Sequence, residues 1–315
     1  MTAAVDLSII IVNWNTCDLL LHCLESIQEI RDFEFGGSLS SEAPQLAEVI
    51  VVDNASMDNS PAEVAIRFPW VKLIVNRENL GFACANNQGI QMASGHYILL
   101  LNSDTLMHPG SLAALVNFMQ HTPQAGACGP RLLNADGSLQ HACHPMLTPG
   151  REFWRLLFLD PVYPRSIYPL ERWDNSEPRP VEALKGACLL VRRAALDQVG
   201  LLDERYFMYT EEVDLCHRLH LAGWSLWYVP PAVVTHFGGR SSRQIAETMY
   251  VQLYRSKIQF YRKFGGDGLA RLAKLLYTVA YAPRWLAAAA LAQIRPEYAP
   301  SARAYHHLLI DLPGM

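Results

Sequence analysis

The sequence predicts an α/β protein built on a doubly wound, mostly parallel sheet with helices on both faces. Three observations support this class: short apolar, β-branched runs recur through the first hundred residues, helical spacing separates them, and polar clusters follow the runs. Such runs are too short to span a membrane and suit strands that are buried on both faces. A C-terminal helical tail is predicted beyond this α/β part.

Strand and helix patterns alternate from the start of the chain. The run from Leu7 to Val12 predicts a first strand, and Thr16 is a candidate cap for a helix with apolar residues at helical spacing. The residues from Arg31 to Glu48 mix Gly, Ser, Pro and acids without periodicity, which predicts a long surface connection. Further strands and helices are predicted at 49–52, after Asp58, at 71–75, from about Phe82 and at 97–101.

The second half of the sequence has a different character. Seven prolines between Pro145 and Pro180 lie among aromatic residues and predict an irregular segment. Regular structure is predicted again in ALKGACLLVRR (183–193), in a helix over about 210–222, and in two strand-like pieces, WSLWYVP and AVVTHF. We therefore expect a domain over 1–240, with halves at about 1–130 and 131–240, and a helical tail over 241–315.

Composition excludes several classes of protein. The net charge of −4 and the pI near 6.3 argue against a broad nucleic-acid-binding surface, which needs clustered Lys and Arg. Seven scattered cysteines without a CxxC pair indicate neither a disulfide framework nor a four-thiolate zinc site. The N-terminal segment lacks the basic region and cleavage site of a signal peptide, so the sequence predicts a cytoplasmic protein.

Polar segments follow the predicted strands, where doubly wound sheets bind their ligands. They are NWNT from Asn13, DNASMD from Asp53, NRENLGFA with Asn79 and Gly81, and NSDT from Asn102. Asp53 can accept hydrogen bonds from a nucleotide base or ribose. Gly81 suits a tight turn that opens a helix whose amides face the ligand. For each segment alone, turn formation by Asn, Asp and Ser is the competing interpretation.

Asn102, Ser103 and Asp104 directly follow a buried strand and are a candidate diphosphate and metal site. One carboxylate suffices for a hard divalent cation if substrate phosphates supply the other ligands. His236, which follows a later apolar run, is a candidate neutral imidazole ligand beside Asp104. A turn or helix cap at Asp104 and a structural role for His236 are the alternatives.

The densest acidic spot is the run Glu211-Glu212-Val213-Asp214 at the start of a predicted helix. Neighbours on a helix point in different directions, so at most two of these carboxylates can face one site. A carboxylate at the crevice would serve as a general base. The alternative is an acidic first turn that the helix dipole favours.

The order and the sequences of these segments resemble the motifs of the family 2 glycosyltransferases of GT-A fold, particularly those of the rhamnosyltransferase-like branch. Residues 6 to 240 carry the resemblance, which rests on IIIVNWN, VVDNASMD, NLGFACANN, LLLNSD, KGAC and YTEEVDLCHRL followed by a His. It implies an inverting transfer of a sugar, rhamnose by analogy, from a nucleoside diphosphate sugar to a saccharide or lipid-linked saccharide in cell-surface polysaccharide synthesis.

The resemblance also implies roles for individual residues. Asp53 would contact the nucleotide base, Asp104 and His236 would hold Mn²⁺ or Mg²⁺, and Glu212 would be the catalytic base. Relatives often carry Asp-x-Asp where this chain has Asn102 before Asp104, and Asp where it has Glu212. The remaining expected nucleotide-sugar contacts are Asn13, Asn79, Gly81, Asn102 and Ser103, and the expected acceptor contacts are Gly186, Glu211 and Asp214.

Two other functions compete with glycosyl transfer. A catalytically weak or inactive sugar-nucleotide-binding or assembly protein is the first, because Asn102 replaces a carboxylate. A nucleotidyltransferase is the second, but it needs a glycine-rich basic loop where this chain has NWNT. Dehydrogenases and P-loop enzymes are excluded, since neither GxGxxG nor GxxxxGK[ST] follows a strand.

The C-terminal tail is basic and amphipathic. Residues 243–274 hold seven Lys and Arg against two acidic residues, and Tyr250, Tyr254, Ile258 and Tyr261 recur at helical spacing. This pattern predicts a helix that lies on an anionic membrane surface at the inner face of the membrane, with the aromatic side toward lipid. A cap on the catalytic domain and a homodimer contact are the alternatives.

Overall fold

The computed structural model describes residues 5–30, 33–35, 46–239 and 242–315. Contacts divide the chain into two compact units. The first, called the sheet unit, comprises Met1–Met146, Tyr168–Arg205 and Glu212–Ser241. The second unit, called the helical unit, comprises Leu147–Ile167, Tyr206–Glu211 and Ser242–Met315. The domain boundaries expected from the sequence stay a prediction.

The described residues form thirteen strands and nine α-helices, which alternate through the first third of the chain. The strands are β1 (Leu7–Asn13), β2 (Glu34–Phe35), β3 (Leu46–Asp53), β4 (Lys72–Val75), β5 (Tyr97–Asn102), β6 (Thr105–Met107), β7 (Ala125–Leu133), β8 (Leu139–Gln140), β9 (Cys143–His144), β10 (Arg179–Val181), β11 (Ala183–Leu184), β12 (Cys188–Arg192) and β13 (Ser225–His236). The helices are α1 (Cys17–Gln28), α2 (Ser60–Arg67), α3 (Phe82–Met92), α4 (Ser111–His121), α5 (Pro149–Leu156), α6 (Arg193–Val199), α7 (Glu211–Leu221), α8 (Ala246–Ala292) and α9 (Ala299–Asp311).

Eleven strands of the described residues form one sheet. Its order is β10, β13, β7, β12, β5, β1, β3, β2, with β4 beside β3, β6 beside β13 and β8 beside β7. β1 lies between β3 and β5 and is parallel to both, and its residues 7–11 are buried. The continuous apolar run is therefore that of a central strand covered on both faces. The predicted α/β class with a helical C-terminal part is confirmed.

The sheet becomes mixed beyond β5. β12 is antiparallel to β5 and to β7, so it begins at the edge where β5 ends. WSLWYVP and AVVTHF, expected as separate pieces, form the single strand β13. Pro230 and Pro231 cannot donate hydrogen bonds to a ladder, and the register between β13 and β7 shifts there, between Val229 and Val233.

The beginning of α1 differs from the prediction. Thr16 occupies the N-cap position, but its hydroxyl makes no cap bond and instead donates to Asn13 Oδ1 at 2.7 Å. The Asp58 carboxylate accepts from the Cys17 amide at 3.0 Å through one oxygen and from the Ser60 amide at 3.0 Å through the other. Asp58 therefore joins the N-termini of α1 and α2, and the expected capping by Thr16 is wrong.

Two segments expected to be irregular contain regular structure. α5 lies inside the proline-rich segment, where Thr148 Oγ1 accepts from the Arg151 amide at 3.2 Å and Pro149 occupies the first turn. The expected connection over 31–48 includes β2 and the first residues of β3. Its residues 31–32 and 36–45 lie outside the described part of the chain.

The helical unit has an aromatic core. α8 is kinked at Gly266, whose φ of +71° is accessible to glycine. The Tyr254 ring lies 4.8 Å from the Tyr277 ring and 5.3 Å from the Tyr281 ring, and Tyr281 lies 5.3 Å from Tyr305 on α9. These edge and tilted contacts join both halves of α8 to α9.

This core corrects the expected orientation of the tail. Tyr254, Ile258 and Tyr261 are at most 2% exposed, so the face assigned to lipid is packed inside the unit. Lys257, one of the basic residues of 243–274, has a side chain that is only 13% exposed, and its Nζ lies 2.8 Å from Glu152 Oε1. Among the described residues, α8 alone has the length and composition that a membrane span would require.

The Glu48 side chain on β3 makes hydrogen bonds to three other segments of the sheet unit: β1, β4 and the residues that follow α3. Its Oε1 accepts from the Ser8 hydroxyl at 2.6 Å and from the Ser94 amide at 2.7 Å, and its Oε2 accepts from Lys72 Nζ at 2.6 Å. Partial burial raises the pKa of Glu48, but these hydrogen bonds outweigh it and lower the pKa to about 2. The carboxylate therefore stabilises the fold in its charged form.

We expect Glu48→Gln to lower the free energy of unfolding at neutral pH by about 1–3 kcal/mol, as for a lost hydrogen-bonded charge. The folded pKa lies below the ordinary value of 4.5, so this contribution is present above pH 4.5 and is lost as the pH falls toward about 2. Urea denaturation across this range measures it. Glu25→Gln, in an exposed pair with Arg67, is the control and should cost less than about 1 kcal/mol. A pH-independent difference for Glu48→Gln would contradict the assignment.

Candidate active site

The polar residues expected to bind a ligand meet at one edge of the sheet. β1, β3 and β5 end there with Asn13, Asp53 and Asn102. β12 is antiparallel to β5 and begins at this edge, and β13 ends there with His236. Parallel strand ends thus bring together residues that are far apart in sequence, as expected for a crevice in an open α/β sheet.

Asp53 is the centre of a buried polar cluster. Its Oδ1 accepts from Asn13 Nδ2 at 3.1 Å and its Oδ2 accepts from the Ser56 amide at 2.9 Å. Thr16 Oγ1 lies 2.9 Å from Ser103 Oγ and so ties this cluster to the end of β5. Each carboxylate oxygen keeps a further lone pair, so Asp53 can still accept from a ligand. Its contact with a nucleotide base stays a prediction.

The loop before α3 is shaped by amide side chains. Gly81 has a φ of +88°, which a side chain would strain, and precedes the helix directly. Asn79 Oδ1 accepts from the Gly81 amide at 3.0 Å and from Asn54 Nδ2 at 2.8 Å, and Asn54 Oδ1 accepts from the Leu80 amide at 3.0 Å. Asn79 therefore shapes the turn, and Asn54 was not among the candidates chosen from the sequence.

Asp104 and His236 are brought together, as expected. Both are buried, and Asp104 Oδ1 lies 3.3 Å from His236 Nε2. The same Nε2 lies 3.3 Å from Asn102 Nδ2. Asn102 Oδ1 is buried and has no hydrogen-bond partner within the described part of the chain. Two atoms that can ligate a metal, Asp104 Oδ1 and His236 Nε2, therefore meet at the end of β5, and Asn102 reaches the same His236 nitrogen through its amide NH2 group.

Gln140 determines which nitrogen of His236 carries the proton. Lys185 Nζ lies 2.8 Å from Gln140 Oε1, and since an ammonium only donates, this atom must be the accepting oxygen. His236 Nδ1 lies 2.6 Å from the same oxygen and must therefore donate to it. In the neutral ring Nε2 then has no proton, so it accepts from Asn102 Nδ2 at 3.3 Å and lies 3.3 Å from Asp104 Oδ1.

This arrangement fits a divalent cation. An unprotonated imidazole nitrogen and a carboxylate oxygen 3.3 Å apart repel unless a proton or a cation lies between them. Neighbouring ligands of an octahedral ion are about 3 Å apart, close to this separation. Over the described residues no group of three or more His, Cys, Asp or Glu side chains forms a fuller metal site. Substrate phosphates would have to complete the coordination.

Glu212 lies beside Gly186 at the same edge of the sheet. A Cβ on Gly186 would come within 3.4 Å of Glu212 Cβ and 3.7 Å of its carboxyl carbon. Burial raises the pKa of Glu212, while nearby His144 and Lys185 lower it less. Its Oε2 is without a hydrogen-bond partner in the ranges that the structure describes. A carboxylate with these properties can accept a proton.

Lys185 links the two parts of the site. Burial lowers its pKa, and the negative charges of Glu212 and Asp104 oppose that shift. Lys185 Nζ also shares Gln140 Oε1 with the His236 ring, and the neighbouring Gly186 lies beside Glu212, so the candidate base and the candidate metal pair lie near the same lysine. Lys185 and Gln140 were not among the candidates chosen from the sequence, although Lys185 lies in the quoted KGAC segment.

The other acidic residues of this segment have different surroundings. Asp214 is fully buried, and its Oδ1 accepts from Arg218 Nε at 2.6 Å. Arg218 also donates to the carbonyls of Val199 and Leu201, so this ion pair anchors α7 to the end of α6. Arg218 engages this carboxylate, and the acceptor contact expected for Asp214 stays a prediction. Glu211 is 4% exposed and belongs to the helical unit, and its acceptor contact stays a prediction.

Comparison with known proteins identifies the family. Residues 8–200 match the model of glycosyl transferase family 2, and the chain belongs to this family. It is 40% identical over 220 residues to the N-acetylglucosaminyl-diphospho-decaprenol L-rhamnosyltransferase of Mycobacterium tuberculosis. That match covers 65% of this chain and 70% of the relative. The resemblance to the rhamnosyltransferase-like branch is thereby confirmed.

Solved structures with this fold include two glycosyltransferases. The mannosyltransferase PcManGT of Pyrobaculum calidifontis, in complex with GDP-Man and Mn²⁺, is similar over 99% of this chain and 87% of its own, with a TM-score of 0.53 and 19% identity. GalNAc-T7 with UDP, GalNAc and Mn²⁺ is similar over 75% of this chain and 44% of its own, with a TM-score of 0.53 and 17% identity. At these identities the likeness concerns the fold alone.

The proton position on His236 can be measured directly. We expect ¹⁵N NMR of the neutral ring to show the proton on Nδ1, and Gln140→Ala to shift part of the population to the Nε2-protonated form, because the accepting oxygen is lost. His108, whose Nε2 lies 2.9 Å from Thr235 Oγ1, provides an internal control that this substitution leaves unchanged. An Nε2-protonated ring in the unmodified protein would contradict the assignment.

Proposed function

We propose that the protein is an inverting glycosyltransferase that moves a sugar from a nucleoside diphosphate sugar to a hydroxyl group of a saccharide acceptor. The observation that carries this proposal is a chain of contacts: Lys185 Nζ and His236 Nδ1 both lie within hydrogen-bond distance of Gln140 Oε1, and Gly186, next to Lys185, lies beside Glu212. A group able to accept a proton and a group able to hold a diphosphate-bound cation then share one crevice. Direct displacement at a sugar carbon is favoured when one site both accepts the proton of the attacking hydroxyl and stabilises the charge on the leaving diphosphate.

Glu212 is proposed to take the proton from the attacking hydroxyl. Its raised pKa makes it a better proton acceptor than an ordinary carboxylate. The bare backbone of Gly186 beside it leaves room for the acceptor. The base accepts only a proton and forms no bond to the sugar, so a single carboxylate is enough for a displacement in one step.

Asp104 Oδ1 and His236 Nε2 are proposed to hold Mn²⁺ or Mg²⁺, with Asn102 Oδ1 as a further oxygen ligand. A bound divalent cation would neutralise the charge that develops on the leaving diphosphate. Gln140 keeps Nε2 of the neutral His236 ring without a proton. Asn13, Asp53, Asn79, Gly81 and Ser103 are proposed as the surroundings of the nucleotide.

The similarity to a mycobacterial rhamnosyltransferase supports a finer assignment. We propose rhamnose as the donor sugar and a lipid-linked saccharide as the acceptor, in the synthesis of a cell-surface or cell-wall polysaccharide on the cytoplasmic side of the membrane. Residues 1–240 would then form the catalytic domain and 241–315 its helical tail. The homodimer expected from the sequence stays a prediction.

We expect turnover to depend on Mn²⁺ or Mg²⁺. This measurement distinguishes the proposed enzyme from a sugar-nucleotide-binding protein without activity. We expect Asp104→Ala and His236→Ala each to abolish nucleotide release and to weaken Mn²⁺ binding measured by electron paramagnetic resonance, because each removes one of few ligands. Asp136→Ala and His141→Ala, at exposed positions of the same unit, are the controls. Full turnover in excess chelator would overturn the metal assignment, and donor binding without turnover would favour the inactive protein.

Glu212→Gln should lower kcat by about two to four orders of magnitude, the range typical of a lost general base, while nucleotide binding is kept. The acidic limb of the kcat/KM profile should lie above pH 4.5, because the pKa of Glu212 is raised from that value. Lys185→Met should move this limb to still higher pH, since it removes a positive charge that lowers the pKa of Glu212.

Exposed Glu171 offers a matched control, and Glu171→Gln should leave the rate and its pH dependence unchanged. Wild-type turnover by Glu212→Gln would show that another group is the base. Loss of folding can be monitored by the thermal midpoint, which Glu212→Gln should change little because this substitution removes no hydrogen bond to Oε2.

A further inference from the structure

An apolar stripe runs along the exposed side of α8 beyond the kink at Gly266. Its members recur every three or four residues, which places them on one side of the helix. The exposed fractions of its large side chains range from 44% at Leu272 to 61% at Leu286. The stripe comprises Leu272, Leu275, Val279, Pro283, Leu286 and Ala290.

The stripe is distinct from the face that packs inside the helical unit. Ala273, Tyr277, Tyr281 and Ala288 are buried and contribute to the aromatic core. A helix on the surface of a soluble domain normally has a polar side opposite its buried side. Here both sides are apolar, and a large exposed apolar surface marks a site of interaction.

A second exposed apolar element is joined to α8 through Arg284. Its guanidinium donates to the Leu156 carbonyl and lies 4.9 Å from the centroid of the Phe158 ring. Phe158 is 74% exposed and Val162 is 82% exposed. Phe158 also has a φ of +55°, a strained value for a residue with a side chain. The fold thus maintains a strained turn that presents an aromatic ring to solvent.

Basic residues predominate around this surface, although Asp160 lies between Phe158 and Val162, and Asp267 and Glu297 flank the stripe along the chain. Residues 268–296 contain Arg271, Lys274, Arg284 and Arg295 and no acidic residue. The whole helical unit holds thirteen Lys and Arg against seven Asp and Glu. Apolar side chains flanked by cations complement a bilayer that contains anionic lipids.

We infer that the stripe of α8, together with Phe158 and Val162, binds the surface of an anionic lipid bilayer, with this half of α8 lying in the interface. The purpose of the contact rests on the proposed function, since a lipid-linked acceptor is met at that surface. The contact itself depends only on the helical unit.

Two features favour a surface contact over other occupants. The opposite side of α8 packs against α9 through Tyr281 and Tyr305, so insertion across a bilayer would have to break the aromatic core. Pairing with a second copy through the stripe would bring equal sets of Arg and Lys together, which is unfavourable without acidic partners.

Vesicle flotation with the full chain tests the inference. We expect binding to phosphatidylcholine vesicles that contain about one third phosphatidylglycerol, and weaker binding to pure phosphatidylcholine. Leu286→Glu and Leu275→Glu should each weaken binding by about tenfold, because each withdraws one leucine from the apolar phase. Ile310→Glu is a matched control, since Ile310 on α9 is 61% exposed, like Leu286, and lies outside the stripe. An alkaline carbonate wash should release the unmodified protein.

Four results would overturn the inference: no binding to anionic vesicles, equal binding by Leu286→Glu, equal loss in Ile310→Glu, or resistance to the carbonate wash, which indicates a span. A change from dimer to monomer in Leu286→Glu by analytical ultracentrifugation, with vesicle binding unchanged, would assign the stripe to a second copy. Vesicle binding is measured without donor, so it remains informative if the enzyme proves inactive. Nucleotide release without vesicles should be the same in all these variants.

Discussion

The burial of β1 over residues 7–11, between β3 and β5, is the constraint on which the site depends. A strand covered on both faces can carry polar groups only where partners meet them or where the strand ends. Ser8 is the interior exception, and the Glu48 carboxylate satisfies its hydroxyl. The other polar side chain of β1, Asn13, lies at the edge where β3 and β5 end with Asp53 and Asn102.

At that edge, the carboxamide oxygen of Gln140 determines where the His236 ring carries its proton. Gln140 Oε1 accepts from the Lys185 ammonium and from the His236 ring, and this double acceptance leaves Nε2 of the neutral ring without a proton. Lys185 in turn lies close enough to Glu212 to interact with its charge. A substitution at Gln140 should therefore affect both the metal pair and the base through Lys185 and His236.

The sequence predicted the strand ends well because their signals are local. An apolar run that stops at Asn102 or Asp53 identifies a strand end without knowledge of the partner strands. Gln140 carries no such signal, since it lies on a two-residue strand and gains its role from residues 45 and 96 positions away. Asn54 and Lys185 adjoin predicted candidates, but only the tertiary contacts show that their side chains organise the site.

The tail shows a different limit of sequence patterns. The spacing of Tyr254, Ile258 and Tyr261 correctly predicts an amphipathic helix, yet periodicity cannot state what covers its apolar face. In the structure the second half of α8 and α9 cover it, with Tyr277 and Tyr281 in direct contact. The side of α8 that remains exposed was hidden in the sequence, because alanines dilute the pattern of its larger residues.

Charge is distributed unevenly between the units. The net charge of the sheet unit therefore repels the diphosphate of the proposed donor, whereas the net charge of the helical unit attracts the proposed anionic lipid. The sheet unit holds 13 basic against 23 acidic residues, so a diphosphate approaching it is repelled at long range. Lys185 is a cation that interacts with Asp104, and burial already disfavours its charge. A divalent cation at Asp104 and His236 would supply the missing positive charge where the diphosphate needs it. The helical unit has the reverse balance and needs no such ion to attract anionic lipid, so nucleotide binding should depend on divalent metal whereas membrane binding should depend on the charge of the bilayer.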